Sequence, residues 1–494
     1  MPTHDDADKL YKQALEAGRR GDDPQATTLF EQALTFNLAK TVDDLGKPAQ
    51  AEPHYHQALT LYQTLPNTEE KQATCLHNLA ANLATRGKLA EAEPHYHQAL
   101  TLYQTLPNTE EKQATCLLSL ATILATRGKL AEAEPYYRQA LTLYQDIPNT
   151  EEKQAICLFS LATTLDELDK PAQAEPCYHQ ALTLYQDIPG TERDQATCLF
   201  NLATTLSKLD KLAEAEPCYH QALTLYRAIP GTEQKQADCL YNLATTLSML
   251  GKPADAEPYY HQALTLYQNI PNTEKNQAAC LNNLATTLDK LGKPADAEPY
   301  YRQALTLYQD IPGTERDQAD CLNNLANTLR ELGQLAQAES HYRQALTLYQ
   351  DIPNTEENQA DCLHFLANTL RELGKPAEAE PYCHQALTLY QTLPGTEHEQ
   401  ANCLYNTATT LSKLDKLAQA ESHYRQALTL YQDLPNTEKK QANCLGNLAI
   451  TLSKLDKLAQ AEPYYHQALT LYQGIPNTEE QQATCLLHLA ATLY

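Results

Sequence analysis

One 41-residue pattern is written eleven times along this chain, and a period of that length admits very few folds. Its marker tyrosines are Tyr55, Tyr96, Tyr137, Tyr178, Tyr219, Tyr260, Tyr301, Tyr342, Tyr424 and Tyr465, with Cys383 in the one missing slot. A unit this short cannot bury its apolar face alone, so successive copies must stack into a solenoid. Catalysis needs particular residues at one place, whereas this chain offers the same residues everywhere. The pattern therefore favours a binding surface over an enzyme.

The repeat overrides the several domains that 494 residues would otherwise suggest and predicts one continuous array. A net charge of −25 disfavours nucleic-acid and anionic-lipid partners. No apolar run approaches the roughly 18 residues needed to cross a membrane. The start, Met1-Pro2-Thr3-His4-Asp5-Asp6, is too acidic and polar for a secretory signal, so a cytoplasmic location is expected. Eleven of the fourteen cysteines, from Cys75 to Cys485, recur at the repeat period. Packed helices lie roughly 8–10 Å apart, and a disulfide needs Cα atoms within about 6.8 Å. The ladder should therefore consist of small buried thiols in a reducing compartment.

Each copy reads as two helices. In Asn67 to Pro107, Asn67 or Thr68 can accept hydrogen bonds from the first-turn amides, and Glu69 and Glu70 suit the positive helix end. Leu76, Leu79, Ala80 and Leu83 follow at helical spacing. The helix should stop at Gly87, where positive φ is cheap, although Asp169 and Asp210 take this slot elsewhere. A second stripe, Leu89, Ala92, Tyr96, Ala99, Leu100 and Tyr103, makes the second helix, with the alanines allowing close approach. Pro94, like Pro53, Pro135 and Pro258, sits inside that helix, where a lost hydrogen bond and a kink are expected.

In that order, Leu76, Leu79, Ala80, Leu83, Gly87, Leu89, Ala92, Tyr96 and Ala99 resemble the skeleton of the tetratricopeptide repeat. The closing proline of that family is absent after Ala99-Leu100; the second helix runs on to Gln104 before Pro107. With Asn78-Leu79-Ala80 and Ala92-Glu93-Pro94, this extension is similar to the longer repeats of kinesin light chains and their bacterial relatives. The resemblance implies an all-α, right-handed superhelical solenoid of antiparallel helix pairs, whose first helices line a concave peptide-binding groove. It does not imply motor binding, since no heptad coiled coil precedes the repeats.

Residues 1–46 read as an N-terminal cap and shortened first repeat, with a capping helix over Asp8 to Gly18. Residues 47–478 form the array, and 479–494 the unpaired first helix of a truncated repeat. Solenoids normally close with a polar cap. Either the chain is part of a longer protein, the favoured reading, or its open C-terminal end self-associates.

If the resemblance holds, the groove is lined by first-helix residues that do not pack. Asparagine recurs just before the Leu79 equivalent, at Asn201, Asn242, Asn283 and Asn324 among others. Its donor and acceptor suit a peptide backbone, the role the resemblance implies; the alternative is local bonding between helices. The preceding slot varies most: Phe159, Phe200, Tyr241, Asn282, Asn323 and His364, with Phe365 one residue later. Large aromatics here would either anchor a ligand or pack against a neighbouring helix. Asp320 and Asp361 stand near the groove entrance, and Arg330 and Arg371 beyond, as ligand-reading charges or surface ion pairs. Histidine pairs such as His54/His56 point to different helix faces, so no metal and no cofactor are expected.

The sequence thus predicts a protein–protein interaction scaffold that binds an extended peptide of basic or mixed charge. A second reading makes the array the sensor region of a larger signalling enzyme or ATPase continuing beyond Tyr494. A third treats the near-identical copies as a recent expansion with little selected function.

Overall fold

A computed structural model describes residues 35–493, and every regular element among them is an α-helix. The capping helix expected over Asp8 to Gly18 lies outside the described residues. Two units divide at Leu250 and Gly251. In the N-terminal unit a helical segment over 35–44 and the helix Pro48–Gln63 precede four pairs. These are Glu69–Thr85 with Leu89–Thr105, Glu110–Thr126 with Leu130–Gln145, Glu151–Glu167 with Pro171–Asp187, and Glu192–Lys208 with Leu212–Ala228; Glu233–Met249 follows. The C-terminal unit opens with Pro253–Gln268. Its pairs are Glu274–Lys290 with Pro294–Gln309, Glu315–Glu331 with Leu335–Gln350, Glu356–Glu372 with Pro376–Thr392, Glu397–Lys413 with Leu417–Asp433, and Glu438–Lys454 with Leu458–Gln473. Glu479–Leu493 closes it. Within each unit every helix packs on the next, and first helices of successive pairs also meet. This is the expected all-α solenoid of helix pairs.

The turn inside a pair is set by one backbone conformation. Gly87 has φ 75°; its amide donates to the Ala84 carbonyl at 2.9 Å, and that of Lys88 to Leu83 at 2.9 Å. These two bonds satisfy helix-end carbonyls in the pattern of a Schellman close. Asp169 and Asp210 adopt the same left-handed conformation, at φ 57° and 58°, because a short polar side chain tolerates it. Between pairs the positive-φ slot is Asn67 (58°) or its glycine equivalent, Gly190 (85°).

Thr68 does not cap its helix as the sequence suggests. No side-chain cap bond forms; the hydroxyl instead donates backwards to the Tyr62 carbonyl at 2.5 Å. The Gln72 side-chain amide donates to the same carbonyl at 3.1 Å and to Thr68 Oγ1 at 3.1 Å. The carbonyls ending the preceding helix are as unsatisfied as the amides starting the next. A buried threonine at the junction serves the former and latches one pair to its neighbour.

Pro94 is also accommodated without ending its helix, which runs from Leu89 to Thr105. The proline deprives the Ala90 carbonyl of its donor, but both residues are exposed and water can take the bond. The interior is made of the marker tyrosines, with Tyr137, Tyr178 and Tyr219 no more than 2 % exposed, and of alanines at 0 %. The cysteine ladder lies between pairs as free, buried thiols. Cys75 Sγ donates to the Tyr55 carbonyl at 3.3 Å, and burial pushes the thiol up to about 12, so it stays a donor.

Candidate functional site

On the first-helix face of the C-terminal unit, a recess of about 550 Å³ opens across the helices Glu356–Glu372, Glu397–Lys413 and Glu438–Lys454. It lies at the one repeat where Cys383 replaces the marker tyrosine. Elsewhere that tyrosine takes the ring of the variable slot edge-to-face: Phe159 on Tyr178 at 5.8 Å, Phe200 on Tyr219 at 5.9 Å, Tyr405 on Tyr424 at 5.8 Å. With no ring at Cys383, His364 instead contacts Phe365 at 5.5 Å and Tyr390 at 6.4 Å. Phe365 stacks on Tyr342 of the preceding repeat at 6.4 Å and carries the Arg330 guanidinium on its face at 5.7 Å.

Asp361 and Phe365 come together with His364 in this recess, which neighbouring side chains complete. Asp361 Oδ1 accepts from the Tyr390 hydroxyl at 2.5 Å, and burial raises its carboxyl above the usual range. Arg371 Nη1 donates to the Asn406 carbonyl at 3.3 Å and to Asn406 Oδ1 at 3.1 Å, while Asn406 Nδ2 lies 3.2 Å from His364 Nε2. Burial, reinforced by the Arg371 and Arg330 charges, pushes the His364 imidazole down to about 4. Lys440 Nζ lies 2.7 Å from His398 Nε2, and Asn402 Oδ1 accepts from the Tyr431 hydroxyl at 2.9 Å. A second recess of about 380 Å³ continues the face past Tyr405, Asn447 and His488. There Asn447 Nδ2 donates to the Tyr405 hydroxyl at 2.8 Å.

The other candidates are placed less tightly. Phe159 and Phe200 belong to the N-terminal unit and, through their tyrosine contacts, follow the packing alternative, though each stays partly exposed. Tyr241, Asn201 and Asn242 are half-buried on the same unit's first helices. Asn282 Nδ2 donates to Asn283 Oδ1 at 3.4 Å, while Asn282 Oδ1 and Asn323 Oδ1 are buried without a partner. Asn324 contributes its carbonyl to the Thr328 hydroxyl at 3.1 Å. Asp320 Oδ1 accepts from Tyr349 at 2.7 Å and Asn358 at 3.3 Å; Arg330 pairs with Glu372 at 3.2 Å. Glu357, His398, Glu399 and Lys440 escaped the sequence reading. The paired departures Cys383 and Phe365 were the available signal for this repeat.

Tetratricopeptide repeat models match residues 31–105, 71–146, 112–187, 154–228, 194–269, 236–310, 276–351 and 358–433, and a second such model matches 441–474. The chain belongs to the tetratricopeptide repeat family. Among solved structures it is similar to BtubC (BKLC) from P. vanneervenii, at 22% identity and TM-score 0.40, over 46% of this chain and 91% of that one. It is also similar to a Podosopora anserina kinesin light chain candidate of nearly identical TPR-like repeats. That match has 15% identity and TM-score 0.36, over 42% of this chain and 100% of that one. No curated protein matches. Tetratricopeptide arrays commonly mediate contacts between proteins. Among the described residues no helix is long and apolar enough to cross a membrane.

Proposed function

We propose that this tetratricopeptide array is a non-catalytic scaffold whose first-helix face binds an extended peptide segment, with the recess around His364, Phe365 and Tyr405 as the anchoring point. The observation that carries the reading is the recess itself. It combines aromatic walls with the side-chain amides of Asn402, Asn406 and Asn443, the mixture a ligand site needs for burial and orientation. The asparagines supply donors and acceptors that an extended backbone can meet without regard to its sequence.

The test uses the repeat's own departure from its neighbours. Peptides are selected by display on the full chain and measured by fluorescence anisotropy against wild type and Cys383→Tyr/Phe365→Asn. The double substitution restores the residues of the other copies and should return the ring that covers the 364 side chain. Binding should fall about tenfold or more, the loss expected for one anchor, while helicity is retained. Selected peptides that bind both proteins equally would move the site off this face.

A further inference from the structure

The recess of about 380 Å³ lies where two departures from the repeat fall one helical turn apart, at Gly446 and Ile450. Gly446 occupies the variable slot, which carries a side chain in every other copy, among them Leu118, Phe159, Phe200 and Tyr405. Glycine inside a helix costs stability, and Gly446 lies well within Glu438–Lys454. Its backbone does not call for glycine: φ is not positive, and an added Cβ would meet nothing within 4 Å. What the glycine leaves is space.

Ile450 lines that space. Its slot is threonine or asparagine in every copy from Thr122 to Thr409. There the polar group meets the marker tyrosine: Thr163 Oγ1 lies 3.3 Å from the Tyr178 hydroxyl, and Thr409 Oγ1 lies 3.1 Å from that of Tyr424. Ile450 cannot make this bond, and the Tyr465 hydroxyl lies 3.4 Å from Ser453 Oγ instead. One copy has thus given up a bulky side chain and replaced a bonded hydroxyl by half-buried hydrocarbon. Tyr465 itself stays buried, with the His488 ring stacked on it at 6.4 Å, so Tyr405, Ile450 and His488 line the opening. Two polar neighbours are already engaged. Asn447 Nδ2 donates to the Tyr405 hydroxyl at 2.8 Å, and Asn443 Oδ1 accepts from Tyr472 at 2.7 Å. A hydrocarbon group can enter without breaking either bond, and so without stranding a polar atom.

We propose that this recess is the socket for a phenylalanine-type side chain of the bound peptide, which fills the place that a ring of the chain itself fills in other copies. The proposal rests on the peptide-binding reading above and adds a second anchor to it. The socket shares Tyr405 and Asn443 with the recess at His364, so one extended segment can reach both. A ring suits the socket better than an aliphatic chain, because aromatic pairs gain from edge and face charges beyond the area they bury. Successive copies already seat ring after ring on this face, Phe159 on Tyr178 and Phe200 on Tyr219.

The probe is a set of fluorescent octapeptide pools without other aromatic residues, each carrying Phe, Leu or Ala at one fixed position. Anisotropy is read on the full chain. The Phe pool should bind about tenfold or more tightly than the Ala pool, and about threefold more tightly than the Leu pool. Gly446→Phe installs the ring of the other copies and should reduce the Phe-over-Ala advantage to below about threefold, with helicity retained. Leu118→Phe, the same ring in the same slot of the N-terminal unit, should leave the advantage intact. Ile450→Thr, which restores the residue of Thr409, should lower it about threefold. Equal binding of the Phe and Ala pools overturns this inference and leaves peptide binding standing; equal binding of the Phe and Leu pools overturns the ring assignment. A folded Gly446→Phe chain with the full advantage overturns the placement. Should that variant lose helicity, an undiminished advantage in Ile450→Thr does the same. If no pool binds, both readings fall.

Discussion

Tyr178→Ala should cost about 3–5 kcal/mol, the range for deleting a buried aromatic side chain, and the damage should stay local. Tyr178 is 1% exposed and receives the Phe159 ring edge-to-face. Its hydroxyl lies 3.3 Å from Thr163 Oγ1, and its carbonyl accepts from Cys198 Sγ at 3.3 Å in the next repeat. The side chain thus joins the two helices of its own pair, and the backbone that carries it joins the following one. Each pair contacts only its neighbours, so unfolding follows nearest-neighbour coupling instead of a single global transition. Hydrogen exchange should show amides over residues 151–228 losing protection, while residues 69–126 keep theirs. Tyr178→Phe retains the ring and loses the hydroxyl's contacts with Thr163 and Asp166, at a cost of about 0.5–1.5 kcal/mol. A uniform loss of protection across the N-terminal unit would rule out this local picture.

The same residues show how far the sequence could be read. Tyr178, Ala174 and Leu161 announce their burial through a spacing that recurs in every copy. Gly87 and Asp169 announce a turn because few residues tolerate positive φ. Thr68 was legible as a junction residue but not in direction. Its choice between the amides ahead and the carbonyl behind depends on where the previous helix ends, which the spacing leaves open. The rim of the recess was less legible still. Glu357 resembles any acidic residue favoured in a first helical turn, and it lines one recess with Glu399 only because two pairs stack. Periodicity reports what repeats. The recess lies where one copy departs from the others, at Cys383 and Phe365.

Acid should weaken both units before any carboxylate with a lowered pKa begins to protonate. His77 packs edge-to-face on Tyr96 at 5.2 Å, and its Nδ1 is buried without a partner. Burial pushes its imidazole down to about 4, the same value that burial and two arginines give His364. An unfolded histidine titrates at about 6.5. The folded value lies below the unfolded one, so the unfolded chain binds more protons between them. The stabilisation from each neutral ring is present above pH 6.5 and is lost as pH falls towards 4. It amounts to about 2 kcal/mol per site by pH 5 and about 3 kcal/mol in full. Glu134, held down chiefly by its hydrogen bond from Lys170, loses its contribution only as pH falls below the ordinary carboxylate range. Asp361, raised by burial, works in the opposite direction and adds stability as pH falls. The stability lost between pH 6.5 and 5 therefore comes from the histidines. Hydrogen exchange at pH 7.5 and pH 5.0, corrected for intrinsic rates, should show stability falling around Glu69–Thr85 and Glu356–Glu372. His77→Phe, which installs the ring found at Phe159, should abolish the fall in the first helix and leave it in the second; His364→Asn should do the converse. If wild type and His77→Phe lose equal protection around residue 77, the buried imidazole is not the source of the acid sensitivity.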